Sequence, residues 1–188
     1  MSSDARTGIK WSAGALLARH LLHYATMIVM SRLLAPSDFG LLAMALVAVG
    51  FIGVFKDIGT SSALIQRPQC SQELLSTLFW MNAAFGILSA GLLFASAPFM
   101  AAFYGEPRVA PITRLLSASF VISSFSAVNQ ALLTRQMRFS VIGKIEAFSA
   151  LAGSLAAVVT AMSGEGALSL VYQVLVSACA TTACHWIF

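Results

Sequence analysis

The sequence predicts an all-α membrane protein, a bundle of six transmembrane helices, on three observations. Six apolar stretches fill almost all of the 188 residues, and each reaches or nearly reaches the roughly 20 apolar positions a helix needs to cross about 30 Å of hydrocarbon. Charged residues make up 10% of the chain and hydrophobic ones 59%, with mean hydropathy +0.85, whereas a soluble domain is usually about a quarter charged. The breaks between stretches are short, turn-rich and charge-bearing, so no linker separates domains.

The helices are expected at about 9–34, 38–65, 72–98, 109–134, 139–162 and 166–188. The first is too long for the core of a signal peptide and lacks a small-residue cleavage site, so it should remain as a membrane helix. It ends at Ala35-Pro36-Ser37-Asp38, because the residue before proline avoids the α region, and Ser37 or Asp38 can cap the second helix. Arg67-Pro68-Gln69 ends that helix in the same way. Pro98 and Tyr104-Gly105-Glu106-Pro107 form the turn between the third and fourth helices. Arg135-Gln136-Met137-Arg138 and Ser163-Gly164-Glu165-Gly166 supply the next two breaks. The sixth helix runs to His185-Trp186-Ile187-Phe188, where Trp186 suits an interfacial belt. The chain is expected to continue beyond that point.

Charge placement sets an orientation. Arg6, Lys10, Arg67, Arg135 and Arg138 fall at one membrane face and Arg32 and Arg108 at the other, so the N-terminus is predicted to be cytoplasmic. The net charge of +4 comes from scattered residues without a basic run, which argues against nucleic acid as a partner. Cys70, Cys179 and Cys184 have neither metal-ligand spacing nor an even count, and read as packing residues. Phosphate-loop, zinc-helix and nucleophile-elbow motifs are missing. Neither a cofactor, nor a metal, nor catalysis is expected.

Ionisable and polar groups inside apolar segments are costly in lipid and usually face a bundle interior or a water-filled cavity. Arg19, His20 and His23 lie near the middle of the first helix, with Arg19 and His23 on one face. A cationic face at that depth suits an anionic headgroup, since guanidinium offers forked donors to phosphate oxygens. Pairing with Asp57 or Glu146 would be the structural alternative. Lys56 could snorkel to the headgroups or meet substrate, while Asp57 lies deeper. Ser119, Ser123, Ser126 and Gln130 form a polar stripe that could glue helices together or line a cavity. Glu146 could couple transport to protons or sodium, or pair with Lys144 or Arg138. Ser149, Gly153, Ala157 and Ala161 make a packing ladder, and Tyr172 and Gln173 could line a cavity. Glu106, Arg108 and Arg114 read as interface anchors.

The segment Ser31-Arg32-Leu33-Leu34-Ala35-Pro36-Ser37-Asp38-Phe39-Gly40, with Phe55-Lys56-Asp57-Ile58-Gly59, Ala63-Leu64-Ile65-Gln66-Arg67 and Leu133-Thr134-Arg135-Gln136-Met137-Arg138-Phe139, resembles a known family. It is similar to the polysaccharide exporters and lipid-linked oligosaccharide flippases of the multidrug/oligosaccharidyl-lipid/polysaccharide superfamily, nearest to the colanic-acid exporter type. The resemblance implies two helical lobes alternating around a cationic cavity, an undecaprenyl-diphosphate-linked oligosaccharide as cargo, and a bacterial inner-membrane location. This chain would be the N-terminal lobe, needing a C-terminal lobe or a second copy. By that resemblance Arg19 and Lys56 are cavity candidates. His20, His23, Ser123 and Gln130 join them as substrate-binding candidates, with Asp57 and Glu146 as candidates for ion coupling. A drug or cation exporter of the same superfamily, an intramembrane enzyme and a non-transporting scaffold are the alternatives; Arg19 argues against the first, and scattered carboxylates argue against the second.

Overall fold

Proline and glycine punctuate an otherwise continuous apolar chain, and the helices begin and end largely where they stand. The computed structural model describes residues 20–56 and 72–187; Arg19 and Asp57 lie outside them. Among the described residues there are seven helices and no strand: α1 over residues 20–33, α2 Pro36–Lys56, α3 Gln72–Tyr104, α4 Val109–Ser124, α5 Ala127–Arg135, α6 Phe139–Met162 and α7 Leu168–Ile187. Four of them, α2, α3, α6 and α7, are long and apolar enough to cross a membrane, and the bent pair α4 and α5 can make a fifth crossing.

Local chemistry explains the ends. Pro36 opens α2, where its missing N–H costs nothing, and Asp38 Oδ2 reaches back to accept the Ala35 N–H at 3.2 Å, one half of a capping box. Gly105 has φ +64° after α3, and Glu106 N–H returns to Ala101 O at 3.0 Å, the backbone loop that closes orphan carbonyls at a helix end. Gly164 repeats this after α6, with φ +84° and Glu165 N–H donating to Ala161's neighbour Thr160 O at 3.3 Å.

Two expected boundaries are corrected. The third helix does not stop at 98 but runs through Pro98 to Tyr104. Pro98 is exposed on the outer face, and continued apolar packing by Met100 inside carries the helix past the lost hydrogen bond. The fourth stretch, 109–134, is not one helix: α4 and α5 meet at a 45° bend. Serines cause it. Ser123, Ser124 and Ser126 hydroxyls donate to the Phe120, Val121 and Ser123 carbonyls at 3.3, 2.7 and 2.9 Å, competing with the backbone ladder. Ser126 N–H turns to Ser123 O at 3.2 Å. The Ile122 carbonyl is then met by Thr182 Oγ1 at 3.0 Å, and the Phe125 carbonyl by Trp186 Nε1 at 3.2 Å. α7 therefore supplies the donors at the break.

Small residues face inward and large apolar ones outward, the reverse of a soluble core. On α3, Ala83, Gly86, Ala90 and Ala97 are buried, while Leu88, Leu92, Phe99 and Phe103 are more than half exposed. Lipid removes any drive to bury Leu or Phe, so close backbone approach governs the packing. One cluster joins α2, α3, α4 and α7 through Leu41, Ala45, Leu93, Ile112, Leu116 and Val171. A second joins α1 to α6 and α7 through Met30, Leu34, Ala157 and Leu170.

The expected ladder on α6 is the seam with α7, the most extensive helix pair. A Cβ at Gly153 would stand 2.7 Å from Gln173 O and closer still to Ser177 Oγ. A carbonyl cannot swing away, so Gly153→Val is expected to destabilise the bundle by about 1–3 kcal/mol through overpacking. Gly91→Val, in open space, is the control, and thermal unfolding in detergent compares the two.

Candidate functional site

α1, α6 and α7 enclose a half-open polar cavity of about 360 Å³, lined by His20 and His23, Ala150 and Ser154, and Gln173 and Ser177. It lies half-way along α6 and α7. His20 and His23 come one helical turn apart, which is why both reach the same opening. The hydroxyls of Thr26 and Ser154 are hydrogen-bonded at 2.8 Å and tie α1 to α6 at the cavity's edge. Ser177 Oγ donates to Ser149 O at 3.2 Å, and this bond, with the Gly153 contact, fixes α7 against α6. The histidines stay exposed while the hydroxyls behind them are held.

Two imidazoles, a carboxamide and two hydroxyls can donate to or accept from sugar hydroxyls and phosphate oxygens. The volume is at the small end for a ligand pocket, enough for a headgroup portion rather than an extended glycan.

Of the substrate-binding candidates, His20 and His23 are brought together here. Ser123 and Gln130 are not in the cavity: they stand on α4 and α5, on opposite sides of the bend, with Gln130 exposed and its carbonyl accepting from Thr134 Oγ1 at 2.9 Å. The stripe expected from helical spacing is thus interrupted by the break. Lys56 is the last residue of α2. Glu146 lies on α6 one turn before Ala150, at the approach to the cavity. Arg19 immediately precedes His20 and, like Asp57, lies outside the described residues. Ser154 and Ser177 were missed in the sequence because a lone serine among small residues reads as packing; Gln173 was visible as an isolated polar residue.

A separate 290 Å³ cavity at one end of the bundle is lined by Asp38, Arg108, Glu165 and Gly166 among others. Glu106 accepts two bonds from Arg108, at 2.9 and 3.2 Å. That hydrogen bond holds the Glu106 carboxyl below its ordinary range and raises the Arg108 guanidinium. Both are surface groups at the loop, and Arg114 places its guanidinium 5.4 Å from the Phe94 ring centre.

Four helices long and apolar enough to cross a membrane, with the bent pair as a fifth, make this a multi-pass membrane protein. The profile of the family described as "Polysaccharide biosynthesis protein" matches residues 29–188, and the chain belongs to that family. It is 31% identical over 176 residues to "Lipopolysaccharide biosynthesis protein WzxC" of Escherichia coli, covering 94% of this chain and 36% of the relative. It is 31% identical over 170 residues to "Succinoglycan biosynthesis transport protein ExoT" of Rhizobium meliloti, covering 90% and 34%. With "Teichuronic acid biosynthesis protein TuaB" of Bacillus subtilis it shares 28% over 149 residues, covering 79% and 31%. The chain spans about a third of the length of these relatives. No solved structure matches it.

Proposed function

We propose that the protein is the N-terminal lobe of a transporter that moves a lipid-linked oligosaccharide, carried on undecaprenyl diphosphate, across the bacterial inner membrane, with its N-terminus cytoplasmic. The observation that carries this reading is the convergence of His20 and His23 with Ser154, Gln173 and Ser177 half-way through the bundle. Similarity to WzxC and ExoT, named for lipopolysaccharide biosynthesis and succinoglycan transport, supports it.

In this reading the cavity takes the phosphate and first sugar while the polyprenyl chain stays in lipid. Polar groups replace headgroup water, and the barrier to crossing falls because charge is not stripped bare in hydrocarbon. Arg19, one residue from His20, supplies a permanent positive charge for the diphosphate. Lys56 adds a second cation near the membrane face, and Ser123 and Gln130 meet sugars further along the path. Asp57 and Glu146 couple movement to protons or sodium. The bent pair α4 and α5 makes one crossing, and a C-terminal lobe or a second copy closes the other side. The chemistry is noncovalent.

Arg19→Ala is expected to abolish surface polysaccharide in cells that depend on this protein, with membrane insertion unchanged. Normal polysaccharide with that variant would remove Arg19 from the site.

A further inference from the structure

The seam between α6 and α7 carries a second cavity on the flank away from His20 and His23. It is half-open, about 430 Å³, and lined by Arg138, Val141, Lys144, Ile145 and Phe148 at the start of α6 and by Cys184 near the end of α7. At 3.6 residues per turn these α6 positions share one side of the helix, while Ala150 and Ser154 of the first cavity lie on the other. Ser149 and Gly153, buried in the seam, stand between the two sets. An occupant of this flank is therefore separate from whatever enters the polar cavity.

The lining is ordered along the helix. Arg138 is the residue that opens α6, and Val141, Ile145 and Phe148 follow it over ten residues, about 15 Å, which is half of the roughly 30 Å hydrocarbon core. Lys144 branches from within this stretch, but helical side chains tilt toward the helix N-terminus, which lets its long stem carry the ammonium back toward the Arg138 end. Trp186, 60% exposed in the last turn of α7, marks the same end as headgroup level. Charge at the mouth with an apolar wall behind it is the order of groups in a phospholipid.

Electrostatics selects among lipids. Arg138 and Lys144 are exposed, and Arg135 in the last turn of α5 adds a third cation at this end, against Glu146 on α6 and Glu73 in the first turn of α3. The first turn of α6 has no side-chain cap, so the helix end adds further partial positive charge. Guanidinium and ammonium groups bind phosphate oxygens, and a zwitterionic headgroup would bring its own ammonium against them. Sugars need hydroxyl or carboxamide partners; none stands among the described lining residues, whereas the first cavity has Ser154, Gln173 and Ser177.

We propose that this cavity binds an anionic phospholipid of the surrounding bilayer, its phosphate held by Arg138 and Lys144 and an acyl chain lying along Val141, Ile145 and Phe148. The site requires a membrane and not the transport reading. Native mass spectrometry of the full chain in detergent, with phosphatidylglycerol and phosphatidylethanolamine of matched chains, tests it. Wild type is expected to retain phosphatidylglycerol roughly 5-fold or more over phosphatidylethanolamine, since each cation close to an anionic lipid contributes about that factor. Arg138→Gln with Lys144→Gln should reduce phosphatidylglycerol to the level of phosphatidylethanolamine. Cys184→Phe keeps both cations but fills the cavity, and should also lose the bound lipid; it decides the question by itself if the double variant does not fold, with thermal unfolding as the check. Equal retention of the two lipids by wild type overturns the proposal, as does a preference that survives both sets of changes. Displacement of phosphatidylglycerol by undecaprenyl-diphosphate-linked oligosaccharide at equal concentration would overturn its assignment to a bilayer phospholipid.

Discussion

His23→Ala is expected to reduce translocation of the lipid-linked oligosaccharide by roughly 10-fold or more, the ratio set by losing a hydrogen bond to a charged group worth about 1.5–3 kcal/mol. His23 shares the cavity with Ser154 on α6 and with Gln173 and Ser177 on α7, so its loss removes one wall of the polar lining. Because the side chain is exposed and outside the packed clusters, the fold should survive. Thermal unfolding of the variant should match the parent while transport into inverted vesicles falls. His23→Gln, which keeps a donor and an acceptor, should recover part of the rate. Equal transport by His23→Ala and parent would mean that the cavity is a packing feature.

The second large effect concerns the broken helix. Combining Thr182→Val with Trp186→Phe removes the donors that meet Ile122 O and Phe125 O, while Val keeps the shape of Thr and Phe keeps an aromatic ring in place of the indole. Each carbonyl left unmet costs about 1–3 kcal/mol, although hydrogen bonds between membrane helices average nearer 0.6 kcal/mol. Both carbonyls lie at the same bend, so the pair of changes should destabilise the protein by about 1–3 kcal/mol, between these two scales. Trp186 also contacts the Phe79 ring edge-on, 6.0 Å between centres, which Phe can retain. Thermal unfolding checks the loss, and a distance between spin labels on α4 and α5 checks whether the 45° bend changes with it. An unchanged unfolding temperature would show that the carbonyls find other donors.

Most helix ends were legible in the sequence because Pro36, Gly105 and Gly164 act within one or two residues of where they stand. The break between α4 and α5 was not legible. No proline or glycine marks it, and serine is tolerated within membrane helices, so Ser123 and Ser126, with Ser119 and Gln130, read as a stripe along one straight helix. Only their bonds to preceding carbonyls, and the donors arriving from residues about 60 positions later, show the bend. Pro98 misled in the opposite sense, since proline on an outward face bends or loosens a membrane helix without ending it.

The candidate site divides along similar lines. His20 and His23 stood out because titratable groups are rare in apolar segments. Ser154 and Ser177 did not, as each is a small residue in a seam whose spacing already accounts for it. His185 was read as part of a helix end beside Trp186, and it is buried at 3% exposure. Periodicity finds which residues share a helix face; it does not find which helix covers that face.

The cavity of α1, α6 and α7 is expected to receive the phosphate-bearing headgroup, and occupancy there can be read directly. A thiol introduced by Ser154→Cys, in a background where Cys70, Cys179 and Cys184 are replaced by serine, reports access of a maleimide to the cavity in nanodiscs. Undecaprenyl-diphosphate-linked oligosaccharide is expected to slow that labelling at least several-fold, with free undecaprenol giving no protection. Labelling at the same rate with and without the lipid-linked oligosaccharide would contradict the account.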